Sequence, residues 1–299
     1  MTVSFNKTYS TPEEILKILR ERGLEITDDS KTLHYIKHIG YYRLSAYFHP
    51  LLAEPKENHS FKPDSTFSNA LSLYRFDKKL RLFLFNELEK VEVAFRSAIA
   101  NIVAEETNNI FWMTTPEIYA NSDKFNSTIS LINKELSRTK EEFIIHFKEK
   151  YSNDYPPAWM LVEILPLGVV TRIYENIANH ALRKKVAARF NLPIPLFTSW
   201  ITIITLTRNS CCHHARVWNK ENAITPMLMK KTNKPWISQQ ISVKRIFYNI
   251  CIIKWFLDII SPGNKMKQYL QQLLTEYPNI DPNAMGFPQN WEEEPLWKD

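Results

Sequence analysis

The sequence predicts an all-α protein, and three observations lead to this fold class. Only 5 of its 299 residues are glycine, against 17 prolines, a balance that argues against Gly-rich phosphate loops, Rossmann turns and hairpin-rich β folds. Apolar residues recur every three or four positions through long segments, most clearly over residues 66–105, as they do on one face of an α-helix. Helix-start signals precede such segments: in Thr11-Pro12-Glu13-Glu14 a capping hydroxyl is followed by a proline and two acids.

Composition indicates the class of partner and the compartment. The 38 Lys and Arg residues exceed the 32 Asp and Glu residues, giving a net charge of +6 and a pI near 9.0, which favours a polyanionic partner. Three cysteines form no disulfide framework, as is typical of a reducing cytoplasm. We expect no signal peptide, because no charged stretch followed by an apolar one opens the chain. The longest apolar run, residues 250–260, is broken by Lys254 and Asp258 and is too short to span a membrane. The sequence therefore predicts a soluble cytoplasmic protein with no membrane partner.

The helical segments suggest an N-terminal extension followed by one larger domain. Two short helices, ending at Gly23 and Gly40, form the predicted extension over residues 1–65. A helix-turn-helix reader of DNA is the alternative for this pair, but the second helix is not notably basic, which favours a packing role. Residues 66–299 form the larger helical domain, and the whole chain reads as one continuous all-α unit. Its further helices are predicted over residues 66–105, 122–150, 160–165, 238–260 and 264–276, and an aromatic, acidic tail over residues 287–297 is expected to dock on the body.

Two charged surfaces have a structural and a functional interpretation. The long helix carries mixed charges at three- and four-residue spacing, which usually mark a solvated face supported by ion pairs. Alternatively, three of its charged residues line a site: Arg81, Glu89 and Arg96. The densest basic run either forms a solvated face or binds RNA: Arg183, Lys184, Lys185 and Arg189.

The most unusual stretch covers residues 208–219 and reads Arg208-Asn209-Ser210-Cys211-Cys212-His213-His214-Ala215-Arg216-Val217-Trp218-Asn219. An apolar run over residues 199–206 leads into it, so the stretch is predicted to continue a core-type helix for about three turns. Dense polar chemistry at the end of such a helix is costly to bury without partners. The stretch is therefore the candidate functional site.

A subset of this stretch suits RNA cleavage without a metal. Asn209 and His213 are four residues apart and share a helix face, while Arg208 is long enough to converge on the same pocket. Histidine can deprotonate the 2′-OH or protonate the leaving oxygen, and the fork of arginine suits phosphoryl oxygens. A two-proton mechanism uses a pair of histidines, and a symmetric dimer would supply the second.

Three other interpretations compete for the same residues. A zinc site is disfavoured, because consecutive residues 211–214 point around the helix axis and cannot close a tetrahedron. A cysteine nucleophile beside an adjacent histidine has poor geometry, so Cys211 and Cys212 are instead predicted to pack in the core. A purely structural polar cluster, in which His and Arg satisfy core carbonyls, is the third. We expect neither a metal nor a cofactor.

Several further blocks accompany the 208–219 stretch, in order over nearly the whole chain. They are Arg22-Gly23-Leu24 with Tyr41-Tyr42-Arg43-Leu44-Ser45, Leu73-Tyr74-Arg75-Phe76-Asp77-x-x-Leu80-Arg81, Glu89-x-x-Glu92-x-x-x-Arg96, Pro157-x-Trp159-x-x-x-Glu163-x-x-x-x-Gly168 and the closing Phe287-Pro288-x-x-Trp291-x-x-x-Pro295-Leu296-Trp297. Together these blocks resemble the Abi (abortive infection) family of bacterial phage-defence proteins, of the AbiD and AbiF type within the HEPN superfamily.

The resemblance implies a HEPN-like helical bundle, usually dimeric, with metal-independent endoribonuclease activity in phage defence or as a toxin held by an antitoxin, which is a small RNA or a protein. The family's arginine and histidine carry over to Arg208 and His213, and Asn209 matches the polar residue after the arginine. His214 fits the looser spacing as the second candidate. Cys212 departs from the family's usual alanine. Arg216 and the basic run are predicted to bind RNA. The alternative is a non-catalytic RNA-binding HEPN protein, using the basic segments at 183–189 and 230–234.

Overall fold

A computed structural model describes residues 8–230 and 234–298, together with Ser4, Asn6 and Thr232. The described chain is all-α, as predicted: it contains helices and three isolated β-bridges but no β-strand. None of the described helices is both long and apolar enough to cross a membrane. The helices are α1 (Pro12–Glu21), α2 (Asp29–Ile39), α3 (Tyr41–Phe48), α4 (Phe67–Thr107), α5 (Ser122–Arg138), α6 (Glu142–Lys150), α7 (Ala158–Ile164), α8 (Leu167–Asn176), α9 (His180–Ala188), α10 (Ile194–Cys212), α11 (Ile246–Ile260) and α12 (Met266–Glu276).

The chain divides into two compact units. The first comprises residues 1–80 and 272–280, and the second comprises residues 81–271 and 281–299. In the first, α1 begins with the capping box expected at Thr11, whose hydroxyl accepts from the Glu14 amide at 3.2 Å. The Tyr47 hydroxyl donates to the buried Asp77 carboxylate at 2.6 Å. The division at residue 65 drawn from the sequence stays a prediction.

The long helix predicted over residues 66–105 is confirmed as α4. Thr66 and Asn69 cap it reciprocally, with hydrogen bonds of 2.8 and 3.0 Å between the side chain of each and the amide of the other. In the second unit, the inner face of α4 is fully buried, as the apolar spacing indicates. Its buried residues are Leu84, Leu88, Val91, Phe95 and Ile99.

The helix predicted over residues 122–150 is wrong as one element, because it breaks into α5 and α6. Thr139 leaves the helical region with ψ of 143°, and its hydroxyl accepts the Glu141 amide at 3.3 Å. A side chain that satisfies a nearby backbone amide offers the chain an alternative to the helical bond. This local competition was not recognised in the apolar periodicity.

The helix predicted from residue 238 begins only at Ile246, and the first residues of the predicted helix are instead bound by the tail. The Glu294 carboxylate accepts hydrogen bonds from the Ser238 and Gln239 amides and from the Ser238 hydroxyl. Burial raises the pKa of Glu294, but these hydrogen bonds outweigh burial and hold the pKa below its ordinary value. The docked tail expected from the sequence is confirmed, since the rings of Phe287 and Phe247 lie 4.2 Å apart.

The core of the second unit is built around α10, which packs against α8, α9 and α11. Most of its apolar residues are buried, with Trp200, Ile201 and Ile204 no more than 1% exposed. The hydroxyls of Thr205 and Thr171 meet at 3.0 Å between α10 and α8. A helix held on three sides in this way fixes the position of whatever follows at its carboxyl end.

Candidate functional site

The carboxyl end of α10 is closed by a Schellman motif. The Ala215 amide donates to the Ser210 carbonyl at 2.9 Å, and the His214 amide donates to the Cys211 carbonyl at 3.2 Å. His214 takes the left-handed conformation, with φ of 57°, at the position that glycine or asparagine usually occupies. The prediction of about three helical turns over residues 208–219 is therefore wrong: the stretch is helical only to Cys212.

His213 nevertheless stays one turn above Asn209, as predicted. It caps the helix with φ of −87° and ψ of 13°, and its amide donates to the Asn209 carbonyl at 2.9 Å. Both His213 and His214 are exposed, whereas Asn209 is half-buried. The end of the helix thus presents the His213 side chain to solvent, one helical turn from Asn209.

Arg208 is held from the neighbouring helix α4. Its Nε donates to Glu92 Oε2 at 2.9 Å, and its Nη1 donates to Asn209 Oδ1 at 3.4 Å. Its guanidinium carbon lies 5.9 Å from the ring centroid of Phe85, within cation–π range. Of the five N–H donors of arginine, two are used in these contacts. The remaining donors and the 28% exposure of the side chain leave the guanidinium accessible to an anion.

Glu92 joins Arg208 to a second arginine. Its other oxygen accepts from Nε of Arg96 at 3.1 Å and also from Nη2. Arg96 in turn donates to the carbonyls of Val162 and Leu165, at the junction between α7 and α8. The Glu92 side chain is 11% exposed, so this carboxylate is a nearly buried bridge between two cations.

A scan against protein families matches residues 34–219 to the family described as Abi-like protein. The match covers more than half of the chain. The chain belongs to the Abi-like protein family. Searches of curated proteins and of solved structures found no significant match. The match ends at Asn219, so it includes α4, α10 and the whole 208–219 stretch of this Abi-like protein.

Two of the site's contributors were not among the residues selected from the sequence of this Abi-like chain. Glu92 and Phe85 lie 116 and 123 positions before Arg208, and neither spacing can be read as a motif. The sequence does contain a sign of the ion pair, because Glu92 and Arg96 are four residues apart in Glu89-x-x-Glu92-x-x-x-Arg96. Mixed charges at that spacing usually mark a solvated helix face, so the spacing alone does not identify a site. Of the three charged residues proposed there as an alternative, Arg96 joins the site, Arg81 is buried and Glu89 is exposed.

Of the other predicted RNA contacts, Arg216 lies close to His213 in the chain and the basic run does not. Arg216 follows the Schellman turn and lines a cavity beside Ser210. The basic run 183–189 lies on and just after α9, next to the amino end of α10, and Lys185 pairs with Glu106. His213 lies 19 positions after Ile194, which corresponds to about 28 Å along a helix at 1.5 Å per residue. The structure therefore does not bring this run beside His213. Lys231, in the second basic segment, lies outside the described residues.

The cysteines differ from the prediction in one case. Cys211 and Cys251 are buried, as expected of small packing residues, but Cys212 is exposed, so its predicted core position is wrong. Burial raises the pKa of Cys251 well above its ordinary value, which suits an inert thiol. No group of three or more His, Cys, Asp or Glu side chains in the described chain is arranged to hold a metal.

Proposed function

We propose that this Abi-like chain is a metal-independent endoribonuclease that acts in cytoplasmic phage defence or as a toxin. The observation that carries the proposal is that the last turns of one helix carry both an exposed His213 and an Arg208 whose side chain is partly exposed. The guanidinium is positioned by the nearly buried Glu92. A fixed cation beside a titratable group is the minimum that cleavage by the neighbouring 2′-hydroxyl needs.

The proposed reaction assigns one role to each group. The 2′-oxygen attacks phosphorus as His213 takes its proton, and the bond from phosphorus to the 5′-oxygen breaks. The leaving 5′-oxygen takes a proton from a second histidine. Arg208 binds the phosphoryl oxygens with its remaining N–H donors, and Asn209 orients the substrate. His214, next to His213 and also exposed, is the second candidate for an acid or base.

A second copy of the chain is the proposed source of the other histidine. Exposed apolar residues lie near Arg208 on α4, at Leu82, Phe85 and Val93, with exposures from 37% to 61%. At 100° per residue they fall within an arc of about 80°. On α10, Leu206 is 40% exposed. It lies seven residues before His213 and therefore on nearly the same face of α10 as His213. Burying these side chains between two copies would favour a homodimer with a composite site.

A non-catalytic RNA-binding role is the second candidate. It is favoured by the basic run on α9, where Lys184 and Arg189 are exposed and are separated from the helix end that holds His213. Such binding would depend steeply on salt. In the toxin form of the proposal, an antitoxin, either a small RNA or a protein, would restrain the enzyme by covering the end of α10.

The test is RNA cleavage by the purified full chain in the presence of a chelator. We expect cleavage by the unaltered protein and a loss of at least 100-fold in His213→Ala and in Arg208→Ala, since general acid–base catalysis contributes about 10² to 10⁴. His146→Ala and Arg172→Ala are matched controls at exposed positions and should retain the rate. Undiminished cleavage by both site variants would contradict the proposal. Salt-dependent binding without any cleavage would favour the second candidate.

A further inference from the structure

A cavity of about 130 Å³ opens beside the turn that carries His213. It lies between the end of α10, the start of α11 and the segment that follows Asn219. Leu206 and Ser210 line it from α10. Leu206 is seven residues before His213 and therefore about 20° from it around the helix. Ser210 is three residues before His213, about 4.5 Å along the axis. Two of the residues that line the cavity therefore lie on α10 within about two turns of His213, which does not itself line the cavity.

The interior of the cavity combines apolar walls with a polar floor. Ile203 and Ile246 contribute to the walls. The floor is a reciprocal amide pair: Asn222 Nδ2 donates to Asn249 Oδ1 at 2.8 Å, and Asn249 Nδ2 donates back to Asn222 Oδ1 at 3.1 Å. Asn249 also donates to the Thr207 hydroxyl at 3.0 Å. Each amide oxygen has a second lone pair, so the floor keeps hydrogen-bond capacity.

The amide floor is rigid, which suits recognition. Asn249 is 4% exposed and lies in the first turn of the mostly apolar α11. The backbone of Asn222 is also held, since its backbone N–H donates to the Lys244 carbonyl at 2.7 Å. Buried polar groups fixed by several hydrogen bonds discriminate well between ligands, because a ligand that fails to match them leaves them unpaired.

We propose that this cavity receives the base of a nucleotide that flanks the cleaved phosphate, and that it admits pyrimidines in preference to purines. The inference rests on the proposed function. A base has apolar faces and a polar edge, as the walls and the floor require, and Arg216 and Lys220 at the cavity supply cations for the adjoining phosphates. An engineered apolar cavity of roughly 150 Å³ holds benzene. A cavity of about 130 Å³ is therefore of the size that holds one six-membered ring, and the larger fused rings of a purine would fit it less well. Sequence-selective proteins read single-stranded RNA through bases splayed out in this way.

The test compares a variant that fills the cavity with a neighbour that does not. Ala223 lines the cavity and is exposed, while Thr225, two residues on, is also exposed and does not line it. Ala223→Trp should therefore block the cavity without disturbing the core, and Thr225→Trp is its control. One arm sequences the ends that the full-length protein produces from a random single-stranded RNA pool. The other arm measures binding of uridine 3′-monophosphate and adenosine 3′-monophosphate by isothermal titration calorimetry.

We expect pyrimidines at least tenfold over purines at one position flanking the cut, and uridine 3′-monophosphate to bind at least tenfold more tightly than its adenosine counterpart. Ala223→Trp should remove both preferences, and Thr225→Trp should keep them. Cleavage with no base preference, or a preference that survives Ala223→Trp, overturns the cavity's assignment while leaving the nuclease intact. Selective nucleotide binding without any cleavage supports the cavity and contradicts the nuclease. The absence of both overturns both.

Discussion

Glu92→Gln is the most informative single change, because Glu92 touches no substrate in the proposed mechanism and acts through Arg208. The variant keeps the shape of the side chain but removes the charge that pairs with Arg208 at 2.9 Å and with Arg96. Hydrogen bonds to charged groups contribute roughly 1.5–3 kcal/mol each, and breaking a buried ion pair costs roughly 3–5 kcal/mol. Because Arg208 is partly exposed, we discount these figures for solvent screening and expect a loss of about 2–3 kcal/mol in the free energy of unfolding. In a domain of roughly 200 residues this lowers Tm by about 4–12 °C.

The kinetic effect separates positioning from simple destabilisation. Without Glu92 the guanidinium of Arg208 is free to move, and a misplacement of about 1 Å can cost about 100-fold in rate. We therefore expect kcat to fall by about 10- to 100-fold at a temperature where the variant is folded. KM should not rise, since the change removes a negative charge beside the proposed RNA site and so does not weaken the attraction of the polyanion. The assay is steady-state RNA cleavage combined with urea unfolding.

A double-mutant cycle supplies the control. In the Arg208→Ala background, Glu92→Gln should cost little further activity, because the group that Glu92 positions is already gone. Glu89→Gln, at an exposed position on the same helix, should leave both rate and stability near those of the unaltered protein. If Glu92→Gln slows cleavage equally with and without Arg208, the positioning role is refuted.

Two further predictions concern the tail and the apolar face of α4. Glu294→Gln should lose about 1.5–3 kcal/mol of stability at pH 7. Because the folded-state pKa of Glu294 lies below its ordinary 4.5, its contribution to stability is present above pH 4.5 and is lost as the pH falls through the folded pKa. Urea unfolding should therefore show a smaller difference in stability between the unaltered protein and Glu294→Gln at pH 4 than at pH 7. The exposed Glu293→Gln is the control. Phe85→Asp should shift the protein from dimer to monomer in analytical ultracentrifugation and abolish cleavage, whereas Ile145→Asp, at another exposed apolar position, should do neither. A Phe85→Asp protein that remains dimeric would contradict the proposed interface.

The helices were predictable from the sequence wherever local spacing determined them. The 41 residues of α4 follow one apolar periodicity, and the capping box of α1 lies within four consecutive residues. The end of α10 was not predictable in the same way, because His214 takes a left-handed conformation that the sequence signals mainly through glycine or asparagine. Ser238, where the sequence predicts the start of α11, is instead bound by Glu294 from 56 positions away.

In the candidate site, too, the residues of one segment were predictable and the contacts from a distant segment were not. Arg208, Asn209 and His213 share one segment, and their residue types alone suggested the chemistry. What the sequence could not show is the support for Arg208, because Glu92 and Phe85 reach it only through the packing of α4 on α10. Contacts between distant segments are set by the tertiary fold, so no local pattern encodes them.

The charge balance around Glu92 argues that this cluster serves more than stability. One carboxylate faces two guanidiniums, those of Arg208 and Arg96, which leaves a net charge of +1. Nearly buried ion pairs can often be replaced by apolar residues at little cost in stability, so stability alone does not account for an unbalanced cluster. The two arginines also differ: Arg96 directs its Nη1 to carbonyls of the fold and its side chain is 10% exposed, whereas the Arg208 side chain is 28% exposed. The surplus charge is therefore presented at Arg208, where a phosphate of the RNA backbone would balance it.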